Sequence, residues 1–116
     1  MAITGNWIFT ASMDVDPTKE ALFNEVYDRE HVPTILKVPG VVSALRFKRR
    51  PLEMIIGGER KQIALEGEPD FTALYELESP AVLVTPEFAK AVELGRWPHE
   101  VRPFTKNRKH FMWERI

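Results

Sequence analysis

Residues 23–40 read FNEVYDREHVPTILKVPG. On a helical wheel of about 100° per residue, Leu22, Phe23, Val26 and Tyr27 fill one apolar arc, and Asn24, Glu25 and Asp28 lie opposite. Glu30 falls in the middle of the apolar arc and His31 at its edge. Val32 precedes Pro33, and the residue before a proline is biased away from the α region. The helix is therefore expected to stop near Glu30 or His31. An inward carboxylate at that end meets the negative pole of the helix dipole and a loss of water, both of which raise its pKa. It needs a cation, solvent or a function to hold it there. The stretch predicts a helix packed on a sheet, with a site at the helix end.

On the N-terminal side, residues 6–13 alternate Trp7, Phe9 and Ala11 against Ile8, Thr10 and Ser12. Both sets are fairly apolar, which predicts a central strand with two covered faces. Asp16 is placed to cap the helix, Pro17 to open it and Glu20 to meet its positive end. On the C-terminal side, Val38-Pro39-Gly40 predicts a turn. Residues 41–48 then form a second strand, with Val42, Ala44, Arg46 and Lys48 on one face. Residues 49–69 read as a long loop with room for a short hairpin around Ile55 and Ile63. The clearest strand is DFTALYELE at residues 70–78. Thr85 and Pro86 open a second helix that Gly95 ends. Residues 102–115 read as the last strand, with Phe111 and Trp113 on one face and Arg108, His110 and Met112 on the other.

The order strand–helix–strand–strand–helix–strand, with right-handed crossovers, predicts a ferredoxin-like βαββαβ sandwich. Its four-stranded antiparallel sheet carries both helices on one face. The other face also bears aromatics, so a second copy is expected to cover it. The 116 residues suit one domain over residues 1–116. A net charge of −1 argues against a nucleic-acid binder. The basic run of Arg46, Lys48, Arg49 and Arg50 reads as a solvated strand end. No apolar run nears the roughly 20 residues of a membrane span, and no signal-peptide layout opens the chain. With no cysteine, disulfides and thiolate chemistry drop out, which fits a cytoplasmic protein. Three histidines on separate elements show no metal-binding spacing. No phosphate loop or G-x-S-x-G is present. No cofactor or metal is therefore expected. Haem on His31 or His110 has nothing in the sequence asking for it.

The strings FNEVYDREHVPTILKVPGVVSALRF and ALYELESP resemble the EthD-like branch of the dimeric α+β barrel superfamily, close to its small bacterial proteins of unknown function. The resemblance rests on an E-H-x-P segment leading to a V-P-G turn, an arginine-aromatic pair on the next strand, and a Y-E-L-E strand. It spans most of the chain outside residues 49–69. Val26 replaces a frequent tryptophan, and Trp113 stands where tyrosine is common. The resemblance implies a homodimer with two sheets face to face. It also implies a ligand pocket between sheet and helices, as in the cofactor-free monooxygenases, isomerases and cyclases and the haem-dependent enzymes of the superfamily.

The candidate catalytic residues are His31, Glu30, Tyr27 and Arg46. His31 serves either as a cation at the negative helix end or as a proton-transfer or ligand group. Glu30 is either its partner or an ion pair with Arg46 or Arg102. Tyr27 is a core aromatic whose hydroxyl can reach a pocket, and Arg46 needs an anion if it points inward. His99 and His110 read as surface residues. Two functions follow. The first is a cofactor-free enzyme doing acid–base chemistry on a small, mostly apolar organic substrate: an isomerase, cyclase or monooxygenase-like enzyme. The second is a non-catalytic accessory or ligand-binding protein.

Overall fold

β1 (Trp7–Val15) runs through the middle of a sheet whose neighbours are β5 (Phe71–Leu77) and β6 (Thr105–Glu114), with β2 (Val41–Lys48) beyond β5. Every neighbouring pair is antiparallel. The computed structural model describes residues 3–116. The strand order β2-β5-β1-β6 is the ferredoxin-like arrangement that the element order predicts. Phe71, Ala73, Tyr75 and Leu77 of β5 join Ala11, Met13 and Val15 of β1 on the face beneath the helices. Phe23, Val26 and Val101, all 0% exposed, close that core from above. Among the described residues no helix is long and apolar enough to cross a membrane.

The first helical segment starts as expected. The Asp16 side chain accepts from the Thr18 N–H, Pro17 follows, and α1 (Glu20–Val26) continues. It does not stop at Glu30. Tyr27–His31 forms a π-helical turn in which the Val32 N–H donates to the Tyr27 carbonyl, and α2 (Val32–Ile35) carries on through Pro33. The wider turn is the physical reason. It places Pro33 in the first turn of a fresh helical segment, where its missing N–H is no loss. Val32 itself keeps α dihedrals.

Residues 49–69 hold the short hairpin the sequence leaves room for, β3 (Leu52–Ile56) and β4 (Glu59–Ile63), turned by Gly57 and Gly58 at φ 60° and 80°. Two successive positive φ values are what a two-residue hairpin turn with the sheet's own twist requires. α3 (Pro86–Ala91) has Thr85 as its cap and ends before Gly95 at φ 69°. The chain then makes a second π-helical turn, Trp97–Val101, and a short 3₁₀ turn, Arg102–Phe104. β6 consequently begins at Thr105 instead of Arg102. A bulge between Val41 and Ser43 also turns Val41 toward the core and leaves Val42 51% exposed.

Apart from Thr4 and Gly5 over Glu76, the described residues leave much of the opposite face of the sheet uncovered. Registers place Leu45, Leu74, Thr10 and Phe111 in one row, and Ser43, Glu76, Ile8 and Trp113 in the next. Leu45, Phe47, Phe111 and Trp113 are exposed there. Glu76 is 3% exposed, yet its carboxylate accepts from the Thr4 N–H at 3.0 Å, from the Ser43 hydroxyl at 2.9 Å and from the Gly5 N–H.

Candidate functional site

The two π-helical turns pack against one another, and a cavity of about 420 Å³ lies between them and the sheet. Its floor is Phe9, Ala11 and Met13 of β1 with Tyr75 of β5, its roof Tyr27, His31 and Trp97. Ala11, the smallest of the floor residues, stands at mid-strand opposite Ala73 and His110 and leaves room beneath the roof. Arg108 and His110 of β6, with Glu93 and Arg102 from the far wall, complete the rim.

His31 is 7% exposed, and its ring lies on the Trp97 indole at 4.3 Å between centroids and 23° between planes. The edge of Tyr27 meets it at 5.1 Å. Its Nδ1 atom is buried with no hydrogen-bond partner among the described residues. Burial foremost, and then the positive charges of Arg102 and Arg108, hold its pKa down at about 4. His31 is therefore a neutral imidazole over the whole physiological range. The Tyr75 hydroxyl is also buried without a partner. It adjoins the Tyr27 hydroxyl without meeting hydrogen-bond geometry. Burial, and after it the Tyr27 phenol, pushes Tyr75 far above the usual phenol value. Burial likewise raises Tyr27, opposed in part by Arg46. Both phenols thus keep their protons and can only be donors to an anion.

The four candidates from the sequence divide two and two. His31 and Tyr27 line the cavity; Glu30 and Arg46 do not. Glu30 turns away, because a π-helical turn winds fewer degrees per residue than an α-helix. That lag carries Glu30 off the buried arc and brings His31 onto it beside Tyr27. The Glu30 carboxylate takes the Arg96 backbone N–H at 2.9 Å and the Arg96 Nε at 2.6 Å. Its pKa is lowered, first by the backbone bond and then by the side-chain bond. The raised pKa expected from the wheel is overturned, and the partner is Arg96, neither Arg46 nor Arg102. Arg46 does face the helices. Its guanidinium covers the Tyr27 ring at 4.4 Å and is held by Asp28 and Asn24, each at 2.8 Å.

The remaining site residues carry weaker sequence signals. His110 is exposed, as a surface residue, and also borders the cavity mouth, stacked on Phe9 at 5.9 Å. Trp97 had no place in the alternation of any strand or helix, yet it is 2% exposed at the centre of the roof. Both π-helical turns share one spelling: an aromatic residue, then a proline six positions later, Tyr27 to Pro33 and Trp97 to Pro103. Among the described residues no group of three or more histidines and carboxylates could hold a metal ion.

No family model matches the chain, and no curated protein matches it either. Solved structures do. A substituted form of MhuD with two manganese protoporphyrin IX molecules bound per active site superposes at a TM-score of 0.61 and 10% identity, over 95% of this chain and 94% of that one. An EthD-family protein from Bacillus halodurans gives 0.57 and 12%, over 95% and 99%. A dimeric ferredoxin-like protein of unknown function from Thermobifida fusca gives 0.51 and 14%, over 98% and 95%. These are likenesses of fold. They put the chain in the ferredoxin-like architecture that the EthD-like strings imply, and leave its chemistry to its own residues.

Proposed function

We propose that this chain binds a small, mostly apolar organic molecule in the cavity between sheet and helices and moves a proton on it without a cofactor, His31 being the acceptor. The observation that carries this reading is a neutral, largely buried imidazole lining an aromatic cavity. A cavity of about 420 Å³ is within the roughly 300–1,000 Å³ usual for small-molecule sites. His31 is a weak base while the cavity holds no anion, since burial and two guanidiniums disfavour its cation. A substrate that gains negative charge as it loses its proton offsets that cost, so basicity rises along the reaction itself. Tyr75 lines the cavity floor, and its phenol keeps its proton beside any developing enolate or oxyanion. Glu30 and Arg46 serve at one remove: Glu30 anchors the segment leading into Trp97 through Arg96, and Arg46 holds the Tyr27 ring. A second copy of the chain over the open sheet face completes the assembly.

The test needs no known substrate. 2-Tetralone is a flat carbon acid, and loss of its α-protons in D2O is read directly by NMR. The expected result is exchange accelerated by the protein and abolished in His31→Ala, with circular dichroism unchanged. Binding without exchange would instead favour the non-catalytic, ligand-binding reading. Haem is a second ligand that an imidazole lining the cavity favours: His31 would hold the iron and Arg108 a propionate. Bound there, it would supply redox chemistry that the residues themselves lack. A Soret shift on haemin titration, lost in His31→Ala, is its signature.

A further inference from the structure

We infer that the ligand of this cavity is a ring-bearing monocarboxylate, held at the mouth by the Arg108 guanidinium; this deepens the small-molecule reading and rests on it. Charges at the rim decide the point. Glu93 and Arg102 cancel one another: Arg102 Nη1 donates to Glu93 Oε1 at 3.0 Å, Nη2 bonds Oε2, and Nη2 also reaches the Val92 carbonyl at 2.8 Å. Arg108 has no ion pair and no side-chain hydrogen bond among the described residues, although it lines the cavity. One positive charge is left over, on an exposed side chain at the rim of an apolar aromatic interior.

The backbone aims that charge on purpose. β1 and β6 lose register between Ser12 and Asp14: Ser12 pairs Lys109 and Asp14 pairs Lys106. Asn107 and Arg108 therefore both stand opposite Met13, a floor residue. A bulge of this kind bends a strand and redirects a side chain, and bulges recur beside active sites. Asn107 sits at φ 54°, a rare conformation for a residue with a Cβ, and is pinned there by bonds from its Nδ2 to Asp14 Oδ2 at 3.1 Å and the Gly67 carbonyl at 2.6 Å. The charge reaches inward as well, since Arg108 bears on His31, Tyr27 and His110 alike.

One planar, permanently charged fork matches a carboxylate by two parallel hydrogen bonds. A phosphate dianion would call for more than a single free cation. The stacked walls of Phe9, Tyr75, Trp97 and His31 then take the flat body.

The test uses 2-naphthoate and its neutral isostere 2-naphthamide as probes, titrated into the full chain by calorimetry. The expected result is naphthoate bound about tenfold or more tightly over the amide, the scale of a charge-assisted hydrogen bond. Arg108→Gln should remove that preference by lowering naphthoate affinity about tenfold more than the amide's, and Arg108→Lys should restore part of it. Equal binding of both probes, or an unmoved preference in Arg108→Gln, overturns the carboxylate inference and leaves the cavity reading intact. Failure of both probes to bind overturns the two together.

Discussion

His31 links the stability of the protein to pH through the same contacts that make it a candidate base. Its folded pKa of about 4 lies below the ordinary 6.5, so the unfolded chain binds more protons between those values. The stability it contributes is fully present above pH 6.5 and is lost as pH falls toward 4, amounting to up to roughly 3 kcal/mol. His110, lowered by burial and by Arg108, acts in the same direction. Glu30, Glu76 and Glu93 are all lowered carboxylates, and their loss comes further down, below the usual carboxylate range. Melting temperatures measured from pH 7.5 to 4.5 should therefore decline in the wild type and decline less in His31→Gln; parallel curves would place the imidazole in contact with water. Glu30→Gln makes the complementary prediction: a modest drop in melting temperature, with naphthoate affinity unchanged. The sequence made Glu30 and His31 visible as neighbours at a helix end. It could not say which of them faces inward, because one π-helical turn decides that and the 3.6-residue wheel assumes it away.

The two π-helical turns are what build the roof, and each depends on a short-range feature of its own. The sequence predicts a stop at Pro33, which stands instead in the first turn of a new segment after a widened turn. Strand alternation and helix caps were legible because they rest on local periodicity and on single side-chain hydrogen bonds. The roof was not, because it arises where two elements far apart in sequence stack His31 on Trp97. Gly95 is the joint between them. It sits at φ 69°, and a Cβ there would stand 2.7 Å from Glu30 Oε1. Gly95→Ala should therefore cost about 1–2 kcal/mol for the left-handed backbone alone, and more once the carboxylate is displaced from Arg96. Trp97→Ala should be worse, by roughly 3–5 kcal/mol, since it empties the centre of the aromatic cluster. Chemical denaturation checks both. A Trp97→Ala loss no larger than that of an exposed side chain would mean the two turns do not support each other.

A molecule with this sheet has two apolar sides, and its own helices cover one of them. Leu45 and Phe47 on the edge strand β2, with Phe111 and Trp113 on the edge strand β6, frame the uncovered side from both ends. Left in water, these large apolar side chains would form the kind of contiguous patch that marks an interface. The hairpin, a separate two-stranded sheet, also exposes Leu52, Met54 and Ile56 on one of its sides. Glu76 is the group that would most oppose covering the face, because a carboxylate stripped of water without partners is costly. Its oxygens already hold the Thr4 and Gly5 N–H groups and the Ser43 hydroxyl, so it has little hydration left to lose. Self-association through this face, burying on the order of 800 Å² per chain, is accordingly the expected state in solution. Light scattering at micromolar concentration should give twice the 13.4 kDa of one chain. Leu45→Glu and Trp113→Asp lie at opposite ends of the face, so each should dissociate the pair while the far-ultraviolet dichroism stays as it was. Charges at both ends with no change in mass would locate the contact elsewhere, with the hairpin next in line; a wild-type monomer would remove the second copy altogether.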